Sequence, residues 1–469
     1  MGKRYKRTHE GKEAVRRFEE MIKNGQTLFF DLAEFELIIE HYIEKGKFKK
    51  ADLACTLGME QYPFSTELFI HKAHLHMRKE EYDQAWELLE KAELYEPNQI
   101  DIILLKSNIL SQKELYDEAL EYLNKALDTV SEKDEIYFAI GMTYQDWGKL
   151  DEAIVYFKEA INHNINNEDA LYELAYCLDV TGQLEQSISY YQKFIDNDPY
   201  SDYAWYNMGI VYFKLGKIQE AIKAYDYAVT INEQFSSAYF NMGNCYMHLE
   251  DYEKAIECLH QTRKLEPPSA DVYCNLGICY ERLGKYTKAM EYFKRAVKID
   301  PFYHEAWFGM GKCMEAQNKH MEALHFFKKA LKYDKENALY WLATANNEYK
   351  IGNLHSCLEA YEEACILDPQ NTEVWQNWSY VHYENGEIDK ALTLIMSGID
   401  EMPENAELYY RAVVYLINLG RYKEAFLYLE QALTLDFDKH VLLFEFFPKL
   451  ETQKALYKII DQYRKKDVQ

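Results

Sequence analysis

The sequence predicts an all-α fold, a right-handed superhelical α-solenoid of helix–turn–helix hairpins, and three recurring columns predict it. Reading from Ala51 in steps of 34 residues gives Ala51, Ala85, Ala119, Ala153, Ser187, Ala221, Ala255, Ala289, Ala323, Cys357, Ala391 and Ala425, none larger than Cys. A large apolar or aromatic residue precedes each by a fixed interval, from Phe35 and Phe69 through Trp205, Trp307, Trp341 and Trp375 to Tyr409. Gly recurs in a third column at Gly46, Gly148, Gly182, Gly216, Gly284, Gly352, Gly386 and Gly420. A fixed period of this length marks a stack of like units, each able to bury a face only against its neighbours.

Counting the small residue as position 20 starts the first unit at Leu32. Positions 4, 7, 8 and 11 then recur with helical spacing and form the apolar stripe of a first helix. Position 8 is small in ten units, including Ala73, Gly141, Gly209, Gly243, Gly277 and Gly311. Positions 20, 24 and 27 make the stripe of a second helix, and small residues at 8 and 20 let the two backbones approach. Gly at position 15 suits the left-handed conformation that ends a helix. Pro at position 32 (Pro63, Pro97, Pro199, Pro267, Pro301, Pro369, Pro403) stops the second helix. Each unit is thus a two-helix hairpin, and abutting units fill residues 32–439.

Two short segments flank them. In the lead, residues 1–31, Ala14, Phe18 and Met21 are spaced like positions 20, 24 and 27, so it reads as a basic segment with one capping helix. The tail, residues 440–469, reads from Val441 to Tyr463 as helices covering the last apolar face. Neither is long enough to form a catalytic domain.

Trp205-Tyr-Asn-Met208-Gly209-Ile-Val-Tyr212 followed by Ala221, Tyr225 and Ala228 resembles the tetratricopeptide-repeat signature. Tyr273-Cys-Asn-Leu276-Gly277-Ile-Cys-Tyr280 followed by Ala289, Phe293, Ala296 and Pro301 resembles it too. The resemblance extends over twelve tandem units, 408 of 469 residues. It implies a binding scaffold and leaves the ligand open.

Net charge is −25, from 53 basic and 78 acidic residues. An acidic body repels phosphate backbones, which argues against nucleic acid and for basic or neutral protein or peptide partners. The basic N-terminus, Met1 to Glu10, lacks the apolar run of a secretory signal, and no stretch approaches the length needed to span a bilayer. The nine cysteines are odd in number and none forms a Cys-x-x-Cys pair. These features predict a cytoplasmic protein with reduced thiols.

Catalytic motifs fail: there is no phosphate-binding Gly-rich loop and no Gly-x-Ser-x-Gly elbow. His304-Glu305 opens like a zinc-protease motif, but Phe308 stands where the second His belongs. His71 and His74 share a helix face near Glu40. Metal binding there is weighed against a plainer reading, in which both line a groove and His76 fills a core column. The plainer reading is preferred, with no cofactor and no metal.

The resemblance implies that first helices line a concave wall. Around units five to eight that wall carries Tyr172, Tyr176, Tyr206, Asn207, Phe240, Asn241, Asn244 and Asn275. An asparagine amide offers a donor and an acceptor, so a row of them can hold an extended peptide backbone. The row resembles the asparagine ladder of O-GlcNAc transferases, and neighbouring aromatics would add rigid apolar contact. The same asparagines and tyrosines are also common in the family whatever the ligand. The family's two-carboxylate clamp needs Lys at position 5, which no unit has. Position 2 is mostly acidic (Glu67, Asp101, Glu135, Asp169, Asp271, Glu305, Glu373, Glu407), which predicts a ligand carrying Lys or Arg.

Four residues break the pattern. Lys72 and Lys106 occupy position 7, normally apolar, and Thr344 and Glu348 occupy positions 7 and 11 of the tenth unit. A buried lone carboxylate is costly, so Glu348 must reach solvent or a partner, and the tenth unit is expected to be the weakest joint. The sequence therefore predicts a non-enzymatic adaptor holding an extended, basic peptide segment. The alternative is a structural subunit of a homo-oligomer or larger complex, revealed by concentration-dependent dimerisation.

Overall fold

First helices start where a polar side chain can cap them. Asp31 accepts from the Glu34 amide while Glu34 returns a bond to the Asp31 amide, a capping box. In seven of the eleven later units the position before the unit supplies a side-chain cap: Ser65, Asn167, Ser201, Ser269, Asn337, Asn371 and Asn405. The computed structural model describes residues 2–25, 28–446 and 454–464. No strand occurs among these described residues. The chain divides into two compact units, Met1–Glu233 and Gln234–Gln469.

In the first unit the helix Gly2–Asn24 buries Ala14, Phe18 and Met21 against Phe35, Ile38 and Tyr42. Met1 and the side chains of residues 2–10, where the basic cluster lies, fall outside the described residues. Helix pairs follow as Leu32–Glu44 with Phe48–Gln61, Thr66–Met77 with Tyr82–Glu93, and Ile100–Gln112 with Tyr116–Ala126. Next come Lys133–Asp146 with Leu150–His163, Glu168–Val180 with Ser187–Asn197, and Asp202–Lys214 with Ile218–Ile231. The fifth pair alone enters its second helix through a 3-10 turn, Leu184–Gln186, where the Ser187 hydroxyl donates to the Leu184 carbonyl at 2.7 Å.

The second unit contains Ser236–His248 with Tyr252–Leu265, Ala270–Arg282 with Tyr286–Ile299, and His304–Glu315 with His320–Tyr333. It continues with Ala338–Lys350 and Leu354–Leu367, Thr372–Glu384 and Ile388–Glu401, and Ala406–Asn418 and Tyr422–Leu435. Val441–Phe446 and Lys454–Arg464 end it, with Leu443, Leu456 and Ile460 buried in the cluster that holds Leu429, Ala432 and Leu433. Residues 447–453 and 465–469 of the tail lie outside the described residues.

The turn inside each pair has one geometry. Position 15 has positive φ in every pair, by Gly where the column is Gly and by Glu80, Glu114, Glu250 and Asn318 elsewhere. The following amide reaches back to the position-11 carbonyl, as in Lys47 to Tyr42 at 2.8 Å and Glu81 to His76 at 3.0 Å. This is the bond pattern of a left-handed helix stop. Between pairs, position 4 ties to the preceding turn: the Trp307 indole donates to the Pro301 carbonyl at 2.9 Å, Trp375 to Pro369 at 2.9 Å, and the Tyr409 hydroxyl to Pro403 at 3.0 Å.

Position 8 is small because position 24 is large. A Cβ at Gly141 would lie 2.5 Å from Phe157, and one at Gly311 would lie 2.3 Å from Phe327. Where position 24 is Leu259, a Cβ at Gly243 would meet it at 3.3 Å. The nine cysteines are free and buried in these stripes. Burial pushes the Cys55, Cys245, Cys313 and Cys357 thiols up to about 12.

The pattern-breaking polar residues find partners. Lys106 is 4% exposed, pairs with Glu93 at 2.5 Å and lies over the Trp86 ring. Lys72 pairs with Asp52 at 2.6 Å and donates to the Thr56 hydroxyl. Glu348, 1% exposed, takes a bond from Asn353 Nδ2 at 2.7 Å and an ion pair from Lys328 at 2.7 Å. Thr344 donates to the Tyr340 carbonyl.

Candidate functional site

The residues singled out in the sequence fall in both compact units. In the first, Tyr172 and Tyr176 stand one turn apart on Glu168–Val180, each 49% exposed. Tyr206 and Asn207 lie on Asp202–Lys214. Tyr206 is half-buried, its ring 5.8 Å from that of Tyr225. Asn207 is 4% exposed and donates to the Tyr203 carbonyl of its own helix at 3.1 Å. Much of its amide is therefore committed locally.

In the second unit Phe240, Asn241 and Asn244 share Ser236–His248, and all three are half-buried. Asn275, on the next first helix, donates its Nδ2 to Asn244 Oδ1 at 2.8 Å. Position 6 of one pair thus meets position 9 of the pair before it. The same rule joins Asn377 on Thr372–Glu384 to Asn346 on Ala338–Lys350 at 3.2 Å.

That second asparagine pair sits in a more elaborate setting. Asn346 Oδ1 also accepts from the Tyr361 hydroxyl at 2.6 Å, and Asn377 Nδ2 also donates to Glu373 at 3.3 Å. These bonds fix both amides. Asn346 Nδ2 and Asn377 Oδ1 have no protein partner among the described residues. Both line a cleft of about 430 Å³ together with Tyr349, Tyr380, His320 and Glu315.

Behind this cleft Asn347 is buried and fully engaged. Its Nδ2 donates to Glu315 at 2.5 Å and to the Ala343 carbonyl at 2.8 Å, so its Oδ1 is the acceptor facing His320 Nδ1 at 2.8 Å. The network fixes the His320 tautomer with the proton on Nδ1.

The sequence reading missed this cleft and the cation near it. Arg411, at position 6 of its helix, lines a second cleft of about 280 Å³ with Gln376, Glu407 and Tyr410. Burial holds its guanidinium below the usual arginine value. Glu407 is already engaged by Lys439 at 2.9 Å and Gln376 at 3.1 Å. No unit has Lys at position 5, and the cation here is an Arg at position 6. The Asn377–Asn346 contact was legible in principle as two asparagines 31 residues apart, the spacing of Asn244 and Asn275.

His71 and His76 of the second pair are half-buried. His76 Nδ1 meets Glu81 at 2.7 Å, and His382 meets Glu387 at 2.7 Å in the same two columns. His71 and His74 are held below the ordinary imidazole value, first by burial; Glu40, Glu67 and Asp101 oppose the shift at His71. Among the described residues no group of three or more His, Cys, Asp or Glu could hold a metal ion, and no helix is long and apolar enough to cross a membrane.

Sequence models of the tetratricopeptide repeat match residues 100–129, 134–162, 169–201, 203–235, 234–301, 282–346 and 406–439. No curated protein matches. Similar solved structures include YrrB, titled a TPR protein with an unusual peptide-binding site (21% identity, 40% of this chain and 96% of that chain, TM-score 0.34). The APC/C hetero-tetramer Cut9-Hcn1 is similar at 14% identity over 83% of this chain and 97% of that one, with TM-score 0.41. A tetratricopeptide repeat protein from Parabacteroides merdae is similar at 15% identity over 53% and 98%, with TM-score 0.44. The chain belongs to the tetratricopeptide-repeat family, a helical scaffold for protein–protein interaction that is typically non-enzymatic.

Proposed function

We propose that the chain is an adaptor that holds an extended peptide segment along its first helices, gripping the peptide backbone through asparagine amides. The observation that carries this reading is the repeated asparagine pair, Asn275 to Asn244 and Asn377 to Asn346. In the second pair the internal bonds leave one donor and one acceptor facing a cleft. That is the complement of a peptide's C=O and N–H, and it reads no side chain. Tyr349 and Tyr380 supply ring surface beside it. Phe240 and Asn241 belong to the proposed surface of the second unit, and Tyr172, Tyr176, Tyr206 and Asn207 to a proposed surface of the first.

Asp271, Glu305 and Glu373 at the starts of the first helices favour a segment carrying Lys or Arg over one carrying Asp or Glu. Fluorescence anisotropy with labelled extended peptides, one Lys-rich and one Glu-rich, tests this on the full chain. Two backbone bonds at about 1 kcal/mol each make Asn346→Ala with Asn377→Ala roughly tenfold or more weaker for the Lys-rich peptide. Equal binding by wild type and the double variant would refute the asparagine grip. Preference for the Glu-rich peptide at this cleft would refute the charge assignment.

A further inference from the structure

Charge in this chain changes sign at the scale of single helices. Acidic residues outnumber basic ones overall, 78 to 53, yet three consecutive second helices carry the opposite excess: Tyr252–Leu265, Tyr286–Ile299 and His320–Tyr333. The excess is columnar. Position 25 holds His260, Lys294 and Lys328, and position 29, one turn on, holds Lys264, Lys298 and Lys332. Arg295 and Lys329 occupy position 26 beside them. The next second helix, Leu354–Leu367, puts Glu362 and Glu363 at positions 25 and 26, and the excess ends there.

These cations are available. Lys264, Lys294, Lys298 and Lys332 are exposed, and among the described residues none has a carboxylate within ion-pair distance. Lys328 is committed to buried Glu348, Arg295 pairs with Glu291 at 2.5 Å, and Lys264 makes only a neutral bond, to Gln261 at 3.2 Å. Two others are propped on rings: Lys329 lies 4.1 Å above Trp307 of a first helix, and Arg295 lies over Tyr273 of a first helix and Tyr292 of its own helix. His260 registers the local field: its pKa is held down by burial first, then by Arg263, Lys264 and Lys288. Position 30 adds an apolar edge with exposed Leu265 and Ile299, and exposed Phe302 packs edge-on against Tyr333 at 5.3 Å.

We propose that this strip of second helices is a docking surface for an acidic protein segment punctuated by apolar residues. Carboxylates would meet Lys264, Lys294, Lys298 and Lys332, and apolar side chains would cover Leu265, Ile299 and Phe302. The width of the strip sets the choice of partner. A bilayer or a nucleic acid would run on past three helices to Glu362 and Glu363, whereas a short acidic segment ends within the patch. The surface uses none of the first-helix asparagines, so it is independent of the peptide grip proposed above.

The test is anisotropy on the full chain with a labelled peptide of alternating Glu and Leu or Phe residues, in low and high salt. Vesicles rich in phosphatidylserine and single-stranded DNA serve as parallel probes. Binding by the peptide that falls with salt and drops about tenfold in Lys294→Glu with Lys298→Glu supports the proposal. Lys264→Gln with Lys332→Gln, on the two flanking helices, gives a milder loss and guards against misfolding of the reversal variant. Asn346→Ala with Asn377→Ala leaves this peptide's affinity unchanged. No peptide binding, binding indifferent to both lysine variants, or tighter binding of vesicles or DNA would overturn it.

Discussion

At the scale of single residues, glycine occurs in two columns for unrelated reasons. At position 15 nothing lies within 4 Å of an added Cβ, so space is irrelevant and the positive φ decides. Glu80, Glu114 and Glu250 bear that conformation at a cost of about 1 kcal/mol each. Glu114→Gly should therefore raise the urea midpoint of the full chain, and Gly284→Ala should lower it. At position 8 the limit is contact: Gly277→Ala would press a Cβ to 2.6 Å from Phe293. That overpacking costs about 1–3 kcal/mol. Gly243→Ala, against Leu259, should cost clearly less in the same melt. The sequence made the glycine column visible, but the turn geometry is imposed by the helix pair on whatever residue stands there, so Glu and Asn at the same position gave no signal. A pH effect belongs to this scale too. His71 and His74 are depressed below 6.5 in the folded chain, chiefly by burial. The unfolded chain then binds more protons just below 6.5, so their contribution is complete above that pH and is lost as pH falls through it. Replacing both by Gln should flatten the fall in urea midpoint between pH 7.5 and 5.5, and an unchanged slope would show that these histidines do not contribute.

At the scale of elements, the helix Ala338–Lys350 concentrates the departures from pattern. Thr344, Asn347 and Glu348 are all buried there. The sequence showed that Glu348 needs a partner but not which one, because Lys328 comes from the neighbouring helix and its basic column does not reveal which carboxylate it faces. The Glu348 carboxylate is buried but Lys328 is 61% exposed, and Glu348 keeps its bond from Asn353 when the lysine is lost. Lys328→Ala should therefore cost about 1 kcal/mol, while Glu348→Leu should cost less or stabilise, both read as shifts in the denaturation midpoint. Hydrogen exchange checks the expected weak joint: amides of residues 339–350 should exchange faster than those of residues 202–214. Helix boundaries were legible where the Gly and Pro columns mark them, in eight and seven units respectively. The 3-10 entry at Leu184–Gln186 coincides with Ser187, a departure from alanine that the sequence displayed without revealing its effect. The asparagines were legible as a row at position 6. Their contacts with position 9 of the pair before were legible only as a 31-residue spacing between asparagines, and Arg411 stood as a single cation in a column marked elsewhere by asparagine.

At the scale of the chain, total charge was an incomplete guide. The sum of −25 describes an acidic surface, and it hid three helices of opposite sign because summation erases position. Periodicity was the stronger signal, since each column constrains the same contact many times over. Excision of one whole period tests that claim most directly. If every 34-residue unit depends only on its neighbours, deleting residues 270–303 rejoins like surfaces. Circular dichroism should then show unchanged helicity per residue and a cooperative, somewhat less stable melt, while deleting residues 270–286 should collapse both. Equal loss of helicity in the two deletions would contradict the account.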